Sequence, residues 1–327
     1  MACRAGLRTN PMVGGHGSWL ACRMVSPHLA MARRPPDPDT LPAHRAARST
    51  GAPGQGAAYV GDDWMVVVDA QADYTRSEAI APFLLLAEPG AQLDLCTASG
   101  LWRGTTITRH RAGSQSEVKA PAAGAVFIYL DPLSPAGQAL QAAEADISMD
   151  SGGPALPWHP AWFTRLLQAQ AQPAEVRQWL QTVLRLQGLQ PGPAARAVDR
   201  RVRSVARRLA ADVEGRLQLA ELAAGVHWSP EHLRKAFAQA AGLSLSRYQM
   251  WCRITRLLGA GEDEAGVHAL VARDSASVLH AAGFYDAPHG SRVIRRYLGV
   301  SMAEVTRGRH PVRPCVDQAG ARPPASG

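Results

Sequence analysis

The sequence predicts a multidomain α+β fold: a β-rich N-terminal domain followed by an all-α domain with two helix-turn-helix units joined by a linker helix. Three observations carry this. From about residue 58 to 131 the chain runs in short β-like stretches punctuated by Gly90, Gly100, Gly104, Gly113 and Gly124, and short strands at close spacing make a small sandwich or barrel. After the Gly188 to Pro193 stretch, apolar residues recur at helical steps. A motif of turn, capped short helix and glycine stop then occurs twice, over 222–242 and 283–301.

Residues 1–55 are rich in Gly, Pro, Ala and Arg. The run Arg33-Arg34-Pro35-Pro36-Asp37-Pro38 propagates neither a helix nor a central strand, so disorder is expected there. Residues 56–150 form the β-rich domain, with strands expected at Trp64–Val68, Pro82–Leu86, Leu93–Cys96, Thr105–Thr108 and Ala125–Leu130. Pro132-Leu133-Ser134-Pro135 stops the last strand and leads into a helix over Gly137–Ala145. Residues 151–193 supply connecting helices at Ala161–Gln170 and Ala174–Leu186, which are the expected place for a dimer contact, and then a linker. The all-α domain occupies 194–310, and 311–327 is expected to be a disordered tail.

A chain of 327 residues holds about two domains. With 46% hydrophobic residues and no apolar run of membrane-spanning length, a globular core is expected and a membrane partner is not. The N-terminus has arginines but lacks an apolar h-region, so no signal peptide is expected. The five cysteines, Cys3, Cys22, Cys96, Cys252 and Cys315, are scattered and form no C-x-x-C pair. That spacing supports neither a disulfide framework nor a zinc site, and free thiols fit a reducing cytoplasm. The net charge of +8 is unevenly spread. Residues 56–195 carry 8 Lys and Arg against 13 Asp and Glu, whereas residues 196–310 carry 18 against 11. An acidic middle joined to a basic C-terminal part suits a sensor joined to a polyanion-binding module; ordinary solvated surface gives the same balance.

Val198, Val202, Val205 and Leu209 share one face of a helix over Val198–Ala211, with Arg200, Arg201, Arg203, Arg207 and Arg208 mostly on the others. Leu219, Leu222 and Ala223 make the next apolar stripe, and Gly225–Trp228 breaks it. Ser229 is then a good N-cap with Pro230 at the first helical position. Leu233 and Phe237 face inward, and Gly242 ends the helix. Two short helices around a turn of three to four residues match a helix-turn-helix. Glu231, His232, Arg234 and Lys235 point outward; arginine can read guanine edges, and lysine more often meets phosphate.

Leu245, Tyr248, Trp251, Ile254 and Leu258 recur at three- and four-residue steps across Ser244–Leu258, a helix of about 20 Å that Gly259 and Gly261 end. Helical stretches at Ala265–Ala272 and Ser275–Ala282 lead to the Gly283-Phe284 turn. Asp286 is the N-cap of the last helix, Ile294 packs inward, and Arg292, Arg295 and Arg296 lie on its basic side.

At these residues the chain resembles the AraC/XylS family of bacterial transcription regulators. The likeness runs from about 198 to 305 through Leu222-Ala223, Ser229-Pro230, Leu233, Phe237, Gly242, Tyr248, Trp251, Arg253, Gly283-Phe284, Asp286, His289, Ser291-Arg292 and Gly299. The resemblance implies a sequence-specific DNA-binding regulator whose two units enter successive major grooves about 34 Å apart. By it, Glu231, Arg234 and Lys235 match the base- and phosphate-contacting positions of the first unit, and His289, Ser291 and Arg292 those of the second. It implies double-stranded DNA, a small-molecule effector, RNA polymerase and a second copy of the chain as partners, in a bacterial, nucleoid-associated cytoplasmic setting. The sequence departs from the family pattern in places. His227 stands where a turn glycine is expected, Gly290 where an aromatic is frequent, and Met302 in place of a proline, while Ala260–Arg273 fits the pattern poorly. Phe127–Ser134 resembles part of the degenerate cupin-like sensor domain of some members.

A cupin metal needs clustered histidines and a carboxylate, and only His110, expected at the surface, lies among the strands. No metal, cofactor or catalytic residue is expected. Trp64, Trp102 and Phe127 could line a small-molecule pocket or fill a core. Two other readings stay open: a cupin-like enzyme with a helical appendage, drawing on Asp62, Asp63, Asp69, Asp73, Asp94 and His110, and a helical protein-interaction module.

Overall fold

The computed structural model describes residues 56–120, 123–143, 145–149, 156–190, 197–212, 214–259, 275–302 and 314–316. The expectations for 1–55, the helix at Ala265–Ala272 and most of the tail lie outside the described residues. The described residues fall within one compact unit, Thr50–Gly327.

The first half is a pair of sheets. The strands are β1 Gly56–Val60, β2 Trp64–Asp69, β3 Ala72–Glu78, β4 Phe83–Ala87, β5 Leu93–Thr97, β6 Gly100–Thr105, β7 Ile107–His110, β8 Gln115–Ala120, β9 Ala125–Leu130, β10 Ile147–Met149 and β11 Pro314–Val316. One sheet has the order β10-β7-β4-β9-β2-β1-β11 and the other β3-β8-β5-β6. Their ladders are antiparallel except that β11 pairs parallel to β1. β2 and β9, read from unbroken apolar runs, pair along their full length from Trp64↔Leu130 to Asp69↔Ala125. The strand expected at Thr105–Thr108 needs correction. The chain changes sheets there: β6 pairs with β5 in the smaller sheet, and β7 pairs with β4 in the larger. Gly104, at φ +68°, bends the chain just before the change.

Helix α1 spans Pro135–Gln141, with Ser134 as its cap. Helices α2, Pro160–Leu167, and α3, Pro173–Leu186, bury Trp162, Phe163, Leu166, Val176, Trp179, Leu180 and Val183. Those side chains share a core with Val66, Leu84, Val126 and Ile128 of the larger sheet. The stretch Ala161–Leu186, where a dimer contact is expected, thus turns its apolar side to the sheet. The apolar faces of these helices cover the sheet, and burying one face against another element is what makes such helices stable.

The helical half comprises α4 Arg200–Ala211, α5 Leu219–Ala224, α6 Pro230–Ala241, α7 Leu245–Gly259, α8 Ser275–Ala281 and α9 Ala287–Leu298. The two halves share one continuous apolar cluster, which includes Phe83, Phe127 and Tyr129 as well as Phe237, Trp251 and Ile294. Tyr129 meets Trp251 with ring centroids 6.1 Å apart. Among the described residues, no helix is long and apolar enough to cross a membrane.

His110 is a second correction. It is 0% exposed rather than at the surface. Its ring stacks on Phe83 at 4.1 Å, and Nε2 shares a 2.8 Å hydrogen bond with the Thr108 hydroxyl. Burial pushes its pKa down to about 3, which keeps the imidazole neutral. Phe127 joins the same aromatic cluster and Trp102 packs at its edge. Cys96 and Cys252 are free thiols.

Candidate nucleic-acid interface

Both helix-turn-helix units are built from short-range rules. In the first, Gln218 and Glu221 form a capping box at the start of α5. Ala223 is fully buried at the crossing, beside Leu222, Leu233 and Phe237. The turn passes through His227 at φ +56°, the left-handed region that favours glycine. The displaced turn glycine thus leaves a strained histidine, at a cost of order 1 kcal/mol. The Ser229 hydroxyl accepts the His232 amide at 3.2 Å, Pro230 opens α6, and Gly242 closes it at φ +68°. Glu231, His232, Arg234 and Lys235 are all exposed. Arg234 lies 3.5 Å from Glu231 one turn back, an exposed pair worth little.

Two residues beside this face, Trp228 and Arg201, are not among the contacts expected from the sequence. Trp228 meets His232 edge-on at 4.7 Å, and the Arg201 guanidinium sits 4.3 Å above the Trp228 ring. Asp199 holds Arg201 through two side-chain hydrogen bonds, and Arg201 in turn keeps the Asp199 carboxyl below its usual range. A tryptophan directly before an N-cap, one turn from an exposed histidine, was the available signal.

In the second unit, Gly283 takes φ +89° and Phe284 is buried. The Asp286 carboxylate accepts the His289 amide at 2.6 Å and caps α9. Gly290 is a point of close approach: a Cβ there would lie 2.8 Å from a methyl of Leu279 on α8. The small residue in place of an aromatic thus lets the two helices meet. His289 and Ser291 are half-buried, while Arg292 and Arg295 are exposed. Arg296 is engaged: its Nε and Nη2 donate to Glu78 Oε2 on β3 at 2.9 and 2.7 Å. Tyr285, in the turn next to the cap, is 92% exposed and was also missed.

Helix α7 follows the first unit and precedes the second. Tyr248 packs on Phe237 at 5.2 Å and donates its hydroxyl to Asp131 at 2.9 Å. Burial raises the Asp131 carboxyl above its usual range and pushes the Cys252 thiol up to about 12. Above these residues lies a cleft of about 1060 Å³, with Asp62, Asp63 and Trp64 on the β side and Arg203, Arg207 and Arg256 on the helical side. Of the aromatics expected at a pocket or in a core, Trp64 lines this cleft. Among the described residues no group of three or more His, Cys, Asp or Glu could hold a metal ion.

A two-sheet β part followed by two capped helix-turn-helix units around a bridging helix is the architecture that the AraC/XylS resemblance implies. Among solved structures, the chain is similar to ToxT from Vibrio cholerae O395, at 8% identity and a TM-score of 0.48, over 75% of this chain and 97% of that one. It is also similar to an AraC-type DNA-binding-domain regulator from Chromobacterium violaceum, at 21% identity and a TM-score of 0.28, over 34% of this chain and 92% of that one. The C-terminal domain of AraT, a response regulator from Geobacillus stearothermophilus, matches at 17% identity and a TM-score of 0.30, over 35% and 89%. No protein-family model matches the chain, and no curated protein does. None of these likenesses assigns a role to a residue of this chain.

Proposed function

We propose that this chain is a sequence-specific, DNA-binding transcription regulator of the AraC/XylS type. The observation that carries the reading is the tandem build: α6 and α9 are each capped at the N-terminus, stopped by a left-handed glycine, and basic on the outer face. Helices so presented fit the major groove, with arginines on base edges and phosphates. In the first unit, Arg234 reads bases, Lys235 meets phosphate, and Glu231 and His232 border the contact. In the second, His289, Ser291 and Arg292 approach bases, and Arg295 meets phosphate. Arg296, paired with Glu78, meets phosphate by exchanging that carboxylate.

The proposed effector site is the cleft between the β part and α4 and α7. A small molecule seated there would touch Trp64 and Asp63 on one side and Arg203, Arg207 and Arg256 on the other, so its binding would bias how the halves pack. The protein binds rather than reacts in this reading, with RNA polymerase and a second copy of the chain as further partners.

The full chain should retain duplex DNA with an affinity that falls linearly with salt on a log–log plot, by about 0.9 per phosphate contacted. Titrating a fluorescent duplex between about 50 and 200 mM salt checks this. An absent or salt-independent signal would contradict it.

A further inference from the structure

The β part grips the C-terminal ends of both reading helices, but with different chemistry. At α6 the grip is neutral: Gln138 Nε2 donates to the Ala240 carbonyl at 3.0 Å and Gln141 Nε2 to the Gly242 carbonyl at 3.3 Å. At α9 it is ionic. Glu78, buried at the end of β3, takes Arg296 on one carboxylate oxygen and Arg247 of α7 on the other. The Thr75 hydroxyl donates to the Gly299 carbonyl at 2.8 Å. The approach is close enough that a Cβ on Gly299 would lie 2.8 Å from the Thr75 carbonyl oxygen.

Arg296 belongs to the outer face of α9. At about 100° per residue, His289, Arg292 and Arg296 fall within about 60° of one another. A guanidinium recognises a carboxylate and a phosphate by the same paired hydrogen bonds. Glu78 therefore offers Arg296 the same kind of partner as a DNA phosphate, through Nε and Nη2.

Building on the DNA-binding reading above, we propose that Glu78 is an intramolecular competitor for DNA phosphate: it engages Arg296, whose side chain is otherwise 62% exposed, and so restrains the second helix-turn-helix, while the first, tied through amide hydrogen bonds, is restrained less. DNA engagement is then ordered. The first unit docks, and the second follows when Arg296 exchanges the carboxylate for a phosphate. An effector that loosens β3 from α9 would promote that exchange.

The test compares the full chain with its Glu78→Gln variant on a duplex selected by the wild type. The variant should bind about two- to fivefold tighter, the range of an ion pair with one solvent-exposed partner. Its salt slope should steepen by about 0.9, one added phosphate. Scrambling the half-site read by the second unit should abolish the gain, and adding Arg296→Ala should cancel it. Thr75→Val, which removes only the bond to Gly299, should give a smaller gain with an unchanged slope, and it keeps the idea testable if Glu78→Gln folds poorly. A wild type that binds, with a Glu78→Gln variant that binds no better or more weakly, would overturn the competitor role alone. A wild type that retains no duplex at any salt would overturn the DNA reading and the competitor role with it.

Discussion

Replacing Phe237 with alanine should destabilise the protein by about 3–5 kcal/mol. The ring is 0% exposed at the centre of the first helix-turn-helix. It meets Tyr248 edge-on, with centroids 5.2 Å apart and planes at 70°, and Tyr248 carries the hydrogen bond to Asp131. Truncation removes the transfer energy of the ring and leaves a cavity, and the edge-to-face contact adds about 0.5–1.5 kcal/mol of its own. A domain with about 5–15 kcal/mol of stability loses a large share of it. Denaturant unfolding followed by circular dichroism measures the loss. A shift below about 1 kcal/mol would mean that α6 is not anchored through Phe237.

Arg234→Ala should leave the fold intact and relax base preference in one half of the site, at about 1–3 kcal/mol for the wild-type base over its competitors. The side chain is exposed, and its ion pair to Glu231 is 3.5 Å long. Such a pair contributes too little to hold the arginine away from a base edge. Lys235→Ala is the natural control: losing a phosphate contact should weaken all sequences alike and flatten the salt slope by about one unit. An unchanged preference for Arg234→Ala would remove its reading role.

The helical half was legible because its signals are local. Ser229-Pro230, Asp286 followed by Pro288, Gly242 and Gly299 act within one helical turn through caps and left-handed stops, and each stands where the sequence places it. The β half was legible where strands are apolar along their length, as in β2 and β9, or alternate between apolar and polar residues, as in β5. β3, Ala-Asp-Tyr-Thr-Arg-Ser-Glu, has little strand character of its own; its state comes from pairing with β8, some forty residues away, across a register shift between Tyr74 and Ser77. β1 is small-residue-rich and gains its neighbours from β2 and from β11 near the other end of the chain. The candidate site divides the same way. The outward faces of α6 and α9 follow from periodicity, but the engagement of Arg296 depends on Glu78, 218 residues distant. His110 illustrates the same limit, since its burial is set by Phe83 on a neighbouring strand.

The central claim is that α6 and α9 read two adjacent segments of one duplex. In vitro selection of random duplexes by the full-length chain tests it most directly. Two short conserved motifs with centres about 10 base pairs apart, one helical turn, are the predicted outcome. A single motif, a variable spacing or no enrichment over the starting pool would contradict it.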